Sequence, residues 1–375
     1  MSQKIYIVGD GIVGRMTAIT MHDMGFNVTI FNDKQIHKKS DRYFSINLLS
    51  KSLFEQYNIW SSILVKGVNS YRKIVTWDNL QSEEVIFESK NINQHNLAYV
   101  ISESNIMSAI DYEIEKRNSI KFENITTLNK NLDKSDYVIN TTNKKNLKIE
   151  SKKSHQINYA QKAVVMNIDI DNSGKIAYQK FLDGQILGLI PISTKTYNLI
   201  WSIDERKIDD LLSGTKKEML NILNTELEEK TGTITDCSTY NLFPLSGYLV
   251  EDCFNDKIIH IGSSLHSIHP LAGLGLNMGL QDLFCLTSKI RKNSNQIDKL
   301  LLYEFQYFSN SLNKRTYYGI NFLKKFYCDY TSPNLREVML KTFNFNASLK
   351  NSVIRFATGL KTKDKINKEV QRPLE

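Results

Sequence analysis

A glycine-rich turn between a strand and a helix near the start of the chain constrains the fold most. An apolar run at Lys4–Val8 predicts a strand, and the pattern Gly9-Asp-Gly-Ile-Val-Gly14 follows it directly. A helix is then predicted to about Met24, and residues 27–31 predict a second strand. A strand, a Gly-x-Gly-x-x-Gly turn, a helix and a strand in this order predict a dinucleotide-binding unit with a pyrophosphate at the helix N-terminus. The candidate binding residues of the turn are Gly9, Gly11, Ile12, Val13 and Gly14.

A second glycine-rich region lies near residue 270. Residues 258–261 predict a short apolar strand, and the polar turn that follows it ends at Pro270. The glycines Gly273, Gly275 and Gly279 then lead into an amphipathic helix. Such a turn exposes backbone N–H groups at the positive end of the helix dipole, which suits an electron-rich ring or a phosphate. The region therefore predicts a second part of a cofactor site.

This second region resembles the GDxxHxxxPxxGxGxNxGxxD signature of the flavin-dependent aromatic hydroxylases, and most closely that of the ubiquinone-biosynthesis hydroxylases. The matching residues are His266, Pro270, Gly273, Gly275, Asn277, Gly279 and Asp282. The resemblance implies that Gly262 and Ser263 contact the ribityl chain of FAD. It also implies that the loop from Pro270 to Asn277, which includes Leu276, lies along the isoalloxazine ring. Ser263 stands where the family has an aspartate.

Further segments resemble the same hydroxylases. Residues 40–60 are similar to a segment whose arginine approaches the flavin, which makes Arg42 a candidate cofactor residue; a solvated loop arginine is the alternative. By register, Asn32, with Asp33 beside it, takes the place of the acidic residue that holds the adenosine ribose. Asn can still form hydrogen bonds there, although without charge assistance. The strands that roof the family's substrate pocket are similar to residues 159–167, 183–202 and 243–245.

One family motif is missing. In the hydroxylases, the strand that resembles residues 136–139 runs into an Asp-Gly pair associated with flavin and NAD(P)H. Here Asn140, Thr141, Thr142 and Asn143 occupy that place. Together with Ser263 and Asn32, this departure predicts weaker binding of FAD, since each lost charge-assisted hydrogen bond costs roughly 1.5–3 kcal/mol.

The resemblance implies an α/β fold in which a Rossmann-like FAD-binding domain is interleaved with a mixed β-sheet substrate domain, followed by a helical C-terminal region. The predicted FAD-binding domain comprises residues 1–70, 95–155 and 245–295, and the substrate domain comprises residues 71–94 and 156–244. Residues 296–375 are predicted to form C-terminal helices and a basic tail. Residues 361–372 are basic and weakly periodic, which favours a frayed tail over a lipid-facing anchor.

The charge and the amino-acid composition limit the kinds of partner that the chain is expected to bind. The net charge of +8 over 375 residues favours acidic surfaces. No nucleic-acid motif is present, so we expect a membrane surface and no nucleic acid as partner; drift towards Lys, Asn and Ile is the alternative explanation of the charge. The four widely spaced cysteines indicate neither zinc nor a disulfide framework. We expect no metal, no signal peptide and no membrane span, and a cytoplasmic protein that binds peripherally to the inner membrane face.

The resemblance implies an FAD-dependent monooxygenase. In this family NAD(P)H reduces FAD, and O2 then forms a flavin hydroperoxide that hydroxylates an aromatic ring. The expected substrate is a polyprenylated phenol or quinone precursor of ubiquinone biosynthesis, and a biosynthetic complex is an expected partner. No catalytic side chain is predicted, because the cofactor carries the chemistry. The alternative is a diverged protein that binds flavin weakly and serves as a non-catalytic partner in a quinone-biosynthesis assembly.

Overall fold

A computed structural model describes residues 3–32, 42–80, 83–130, 133, 136–143, 154–171, 174–328 and 332–371. Across these residues the chain forms eighteen strands and eleven helices. The strands are β1 (Lys4–Val8), β2 (Asn27–Asn32), β3 (Tyr43–Asn47), β4 (Asn69–Tyr71), β5 (Lys73–Asp78), β6 (Val85–Glu88), β7 (Ala98–Ser102), β8 (Lys121–Asn124), β9 (Tyr137–Asn140), β10 (Ser154–Ile170), β11 (Ile176–Leu182), β12 (Gln185–Pro191), β13 (Thr196–Asp204), β14 (Ile234–Cys237), β15 (Asn241–Val250), β16 (Phe254–Asn255), β17 (Ile258–His260) and β18 (His266–Ser267). The helices are α1 (Ile12–Asp23), α2 (Leu48–Gln56), α3 (Ile59–Lys66), α4 (Glu103–Glu115), α5 (Ile208–Leu212), α6 (Lys216–Thr231), α7 (Gly275–Lys292), α8 (Lys299–Cys328), α9 (Pro333–Phe345), α10 (Ala347–Ala357) and α11 (Leu360–Gln371).

The first sheet has the strand order β16-β17-β9-β1-β2-β8. Its strands are parallel except for the β16–β17 hairpin. Four successive apolar residues of β1 are buried, as expected for a strand that is covered on both faces. From β1, the chain goes to β2 on one side and later to β9 on the other. Ligands of open α/β sheets bind beside such a reversal, at the carboxyl ends of the strands.

The second sheet is large and mixed, in the order β18-β15-β10-β13-β12-β11-β5-β6, with β14 paired to β10. Its pairs are antiparallel except β11–β5. Leu223 and Leu227 of α6 pack with Val164 and Trp201 in the core of this sheet. In β10 the pairing with β15 shifts between Asn158 and Gln161, where Ala160 has a φ of 50°. This bulge locally redirects a strand of seventeen residues.

A third sheet has three antiparallel strands in the order β3-β7-β4. Along the chain, β3 and β4 come between β2 and β5, and β7 comes between β6 and β8. The chain therefore leaves the first sheet after β2, enters the second at β5 and returns to the first at β8. This interleaving confirms the predicted α/β class with a Rossmann-like unit, a mixed sheet and a helical C-terminal region. The domain boundary numbers stay a prediction.

The end of the chain differs from the sequence-based expectation. Residues 361–371 do not form a frayed tail but belong to α11. Thr362 is buried, and its hydroxyl donates to Gln281 Oε1 of α7 at 3.0 Å. Ile366 is also buried and joins the core of the first sheet. Of the helices in the described ranges, none combines the length and apolar character that a transmembrane span requires.

Candidate functional site

Three strand ends meet at one edge of the first sheet. Gly9 follows β1, Thr141 follows β9, and Gly262 comes two residues after the end of β17. Backbone hydrogen bonds tie these segments together, from Thr141 N to Val8 O at 2.9 Å and from Ile261 N to Asn140 O at 3.1 Å. The two glycine-rich regions of the sequence therefore lie at the same edge.

Each glycine of the first turn has a different physical role. Gly9 has a φ of 108°, which favours glycine. A Cβ on Gly14 would lie 1.9 Å from Gly9 O, so only glycine allows the helix to pack this closely on the strand. Gly11 is exposed, and a Cβ there would meet no atom within 4 Å. The backbone at Gly11 thus remains open to a ligand, such as a phosphate, at the N-terminus of α1.

The residues after Gly11 begin α1 and connect the two glycine regions. Ile12 is buried in the core. The backbone N–H groups of Ile12 and Val13 lie in the first turn of α1, and such groups have no hydrogen-bond partner within the helix. The side chain of Val13 lies where a Cβ on Gly279 would approach it to 2.8 Å and one on Gly262 to 3.3 Å. Both glycines therefore let the second region pack against the start of α1.

The end of β2 carries an arrangement that the sequence pattern did not indicate. Asn32 Nδ2 donates to Asp10 Oδ2 at 3.2 Å, so the carboxylate at this place comes from the glycine turn. Asp10 was missed because the Gly-x-Gly pattern leaves its position unspecified. Asp33, the other predicted residue here, lies outside the described residues.

Arg42 precedes β3 and is engaged by an acidic residue of α4. Its Nε and Nη2 atoms donate to the two carboxylate oxygens of Glu103 at 2.9 and 2.8 Å. The guanidinium also lies 5.8 Å from the centre of the Phe44 ring. Its predicted role as a cofactor contact stays a prediction.

Asp282 is a buried carboxylate that holds the second region together. Its Oδ2 accepts from Gly262 N at 3.0 Å and pairs with His266 Nε2 at 2.7 Å. Its Oδ1 accepts from Ser309 Oγ at 2.8 Å and from Asn313 Nδ2 at 2.9 Å. The His and Asp of the signature thus join the strand end, α7 and α8, which is a structural role.

The turn before α7 presents its backbone outward. Pro270 begins a 3₁₀ turn, and Gly273 ends it with a φ of 58°. Gly273 and Gly275 are exposed, and a Cβ on Gly275 would meet no atom within 4 Å. The N–H groups of Gly275 and Leu276 belong to the first turn of α7 and have no partner within the helix.

Asn277 fixes this turn from behind. Its Oδ1 accepts from Asn47 N at 2.9 Å and from Ser50 Oγ at 2.8 Å. Its Nδ2 donates to Ser45 O at 2.7 Å and to Gly273 O at 3.1 Å. Four hydrogen bonds to protein atoms assign the buried side chain of Asn277 to positioning the turn.

At both places where the family has aspartates, the chain forms hydrogen bonds between its own residues. Ser263 Oγ donates to Thr141 O at 2.8 Å, and Tyr248 Oη donates to Ser263 O. Thr142 N donates to Asn140 Oδ1 at 3.1 Å. Neither position supplies a carboxylate to this edge of the sheet.

A buried cluster joins the second sheet to the Pro270 turn, and the sequence analysis did not identify it as a site. His269 Nδ1 accepts from Leu271 N at 3.3 Å, so Nε2 carries the proton and donates to Gln161 Oε1 at 3.3 Å. Burial, with the nearby Lys324 ammonium, lowers the pKa of His269 to about 3, and its imidazole is neutral at pH 7.

Tyr159 completes this cluster. Its ring meets that of His269 edge-on, with the centroids 5.1 Å apart, and its hydroxyl donates to Asn321 Oδ1 at 2.9 Å. Burial, with a contribution from Tyr317, raises the pKa of Tyr159 to about 12. The Tyr-x-Gln segment of β10 therefore clamps the turn that begins at Pro270, using uncharged groups.

The residues at this edge fit a flavin dinucleotide. Two helix N-termini open beside each other, and Gly11 and Gly275 each leave space that a side chain would fill. Helix N-termini attract phosphate and other electron-rich groups. Within the described ranges, no group of three or more His, Cys, Asp or Glu side chains is arranged to hold a metal ion.

Comparison with known proteins agrees with this geometry. The sequence profile described as FAD binding domain matches residues 103–304, more than half of the chain. The chain is 22% identical over 440 residues to "Ubiquinone biosynthesis monooxygenase COQ6, mitochondrial" of Danio rerio, covering 94% of this chain and 89% of the relative. It is 22% identical over 307 residues to "3-demethoxyubiquinol 3-hydroxylase" of Escherichia coli (strain K12), covering 76% of this chain and 78% of the relative.

Among solved structures, p-nitrophenol 4-monooxygenase PnpA from Pseudomonas putida DLL-E4 superimposes with a TM-score of 0.73. The superposition covers 98% of each chain at 12% sequence identity. At this identity the likeness shows a shared fold and nothing finer.

Proposed function

Since the chain belongs to the FAD binding domain family and is an FAD-dependent monooxygenase, we propose that it hydroxylates a polyprenylated phenol in ubiquinone biosynthesis, with NAD(P)H and O2 as co-substrates. The structural observation that carries the proposal is the meeting of two glycine-opened helix N-termini at one sheet edge. The substrate class is supported by the printed names of two relatives, which match most of the chain.

Some residues of the site are suited to bind FAD, and others hold the binding residues in position. The N-terminus of α1 at Gly11 is suited to hold the pyrophosphate of FAD, and the N-terminus of α7 at Gly275 is suited to its ring. Bound FAD supplies the redox chemistry that transfers one oxygen atom from O2 to the substrate ring. Asn277 and His269 hold the second turn in place, since their side chains form hydrogen bonds that join it to β3, α2 and β10.

The second sheet would orient the substrate. Gln161 connects β10 to the Pro270 turn, and its Nε2 donates to Gly184 O at 2.7 Å in the loop before β12. Tyr159, Gln161 and His269 are buried beside the proposed ring site and would exclude water from it. These residues act by position, and we assign no acid or base to them.

A second candidate is a protein of the same fold that binds flavin weakly and acts as a non-catalytic partner in a quinone-biosynthesis assembly. The observation in its favour is the replacement of carboxylates by hydroxyl or amide groups at Asn32, at Ser263 and in the segment from Asn140 to Asn143. A biosynthetic complex is compatible with both candidates.

One experiment separates the two candidates. The purified protein is mixed with FAD, passed through gel filtration and measured by visible absorption; NADH or NADPH oxidation is then followed with and without a polyprenylated phenol. We expect retained flavin, oxidation that the phenol stimulates, and a product heavier by one oxygen atom. Protein that retains no FAD and forms no product would support the non-catalytic candidate.

We also propose that the protein is cytoplasmic and binds peripherally to the inner membrane face. Helices α9 and α10 support the peripheral binding, because they expose an apolar stripe to solvent. Its residues are Leu335, Val338, Met339, Phe345, Leu349 and Val353. Exposed apolar groups on amphipathic helices of a basic protein favour anionic membrane surfaces.

A further inference from the structure

Asp10 and Asn32 form a contact at the adenosine end of the predicted cofactor site. Asp10 lies between Gly9 and Gly11, and Asn32 ends β2. Asn32 Nδ2 donates to Asp10 Oδ2 at 3.2 Å, and both residues are partly exposed. The carboxylate is therefore turned towards the end of the second strand and remains accessible there.

Arg15 holds the backbone of the turn in this arrangement. Its Nε donates to the carbonyl oxygen of Asp10 at 2.7 Å, and its guanidinium pairs with Asp111 of α4. The N-cap of α1 is Gly11, and no side chain caps this helix. Asp10 is thus not the N-cap of α1, and its carboxylate accepts a hydrogen bond from Asn32 instead.

A dinucleotide-binding unit places an acidic acceptor at the end of its second strand, about twenty residues after the glycine turn, where it binds ribose hydroxyls. Asn32 is neutral and its amide offers a single acceptor oxygen, whereas a carboxylate offers two oxygens with about four acceptor positions. We propose that the Asp10 carboxylate, held beside Asn32, accepts hydrogen bonds from the adenosine ribose hydroxyls of FAD. The acidic group of this subsite has moved from the second strand to the glycine turn.

This inference rests on the proposed flavin function but is separable from it. The glycine turn faces a pyrophosphate, so a carboxylate within the turn would repel the ligand if it pointed to the helix N-terminus. Its direction towards Asn32 removes the charge from the phosphate position. The amide of Asn32 would then act as a positioning group for the carboxylate of Asp10.

The test compares FAD with FMN, because FMN lacks the adenosine ribose. Flavin-free protein is titrated with each flavin by fluorescence, as wild type and as Asp10→Asn, Asn32→Asp and the double variant. We expect Asp10→Asn to weaken FAD binding by about 10- to 100-fold and to leave FMN binding unchanged. Asn32→Asp places two like charges side by side and weakens FAD binding, and the double variant restores it to within about threefold of wild type, because it carries one carboxylate again.

Asp209→Asn on the exposed face of α5 is the matched control, and thermal melting monitors folding of every variant. Unchanged FAD affinity in Asp10→Asn overturns the inference, as does an equal loss of FAD and FMN affinity or a double variant that is not rescued. If Asp10→Asn also lowers the melting temperature, the double variant separates the two explanations. Recovery of its FAD affinity would show that a carboxylate at this place, and not the stability of the fold, determines binding. Wild-type protein that binds neither flavin overturns both the proposed function and this inference.

Discussion

Gly275 provides a direct test of where the flavin ring lies. A methyl group there would meet no protein atom within 4 Å, so the fold itself tolerates Ala at this helical position. If the ring packs against the start of α7, Gly275→Ala should weaken FAD binding by about 10- to 100-fold, because a methyl group in a close contact costs roughly 1–3 kcal/mol. Flavin fluorescence titration measures the change.

Gly319 is the matched control for this substitution. It is also exposed, helical and without neighbours for an added Cβ, but it lies in α8. Gly319→Ala should leave FAD affinity unchanged, and it should not lower the melting temperature, since Ala favours a helix interior over Gly by about 1 kcal/mol. Equal FAD affinity in the two variants would mean that the flavin ring does not pack against Gly275.

His269 makes the stability of the protein depend on pH. Its pKa is lowered to about 3 by burial, whereas a histidine in the unfolded chain has a pKa of about 6.5. The unfolded state therefore binds more protons between these values, and the free energy of unfolding should fall as the pH falls from about 6.5 towards 3. His269 contributes up to about 1.4 kcal/mol per pH unit in this window.

Urea unfolding at several pH values in this window measures the free energy of unfolding as a function of pH. This free energy should depend less steeply on pH in His269→Gln than in wild type. His95→Gln, which removes an exposed histidine, should keep the wild-type slope. A variant slope for His269→Gln that equals the wild-type slope would mean that the imidazole is charged or exposed in the folded protein.

At the residue scale, the sequence predicted the positions whose role follows from local geometry. The glycines of both turns are of this kind, because a positive φ or a close approach depends on few neighbours. The partners of Asp10 and His269 are different. Gln161 lies 108 positions from His269, and their contact depends on the register of β10 in its sheet. A single sequence does not determine that register.

Among the elements, α11 has few apolar residues and yet it packs against the core. Ile366 is 4% exposed and belongs to the core cluster of the first sheet. Ile366→Ala should lower the free energy of unfolding by about 2–5 kcal/mol, as large-to-small changes of buried aliphatic residues do. Chemical denaturation at neutral pH measures this cost.

Val353→Ala in α10 is the control for Ile366→Ala. Val353 is exposed, so its truncation should change the free energy of unfolding by less than about 0.5 kcal/mol. Similar changes in the free energy of unfolding for both variants would mean that residues 361–371 form the frayed tail that the sequence predicted.

The elements that were predicted well have strong local patterns. Helix α1 ends at Asp23, close to the predicted Met24, and Gly25 follows with a φ of 92°. Helix α11 was predicted incorrectly because it has few apolar residues, and short helices take most of their stability from tertiary packing. The hydrogen bond from Thr362 to Gln281 is one such contact, and it has no sequence signature.

For the whole molecule, the apolar stripe of α9 and α10 predicts binding to anionic vesicles. The variant Leu335→Ser/Val338→Ser/Met339→Ser removes three exposed apolar side chains from α9. It should bind vesicles that contain anionic lipid at least about tenfold more weakly than wild type, because each buried apolar side chain contributes on the order of 1 kcal/mol or more. Sedimentation with vesicles measures the bound fraction.

The matched control removes exposed apolar groups from another face. Leu64 and Val65 of α3 are 53% and 89% exposed, and Leu64→Ser/Val65→Ser should keep the wild-type affinity for vesicles. If both variants lose binding equally, or if wild type binds no vesicles, α9 and α10 are not the membrane surface.

The four hydrogen bonds of Asp282 have a consequence for the order in which the protein matures. Two of them come from Ser309 and Asn313, which the ribosome adds after the whole second glycine turn. Farther on, Leu49 N near the start of the chain donates to Thr358 O at 3.2 Å. The second glycine turn therefore gains these two partners only once α8 has been added, so a nascent chain that ends before α8 has no finished place for FAD. We expect the turn to bind FAD only after α8 has packed against Asp282.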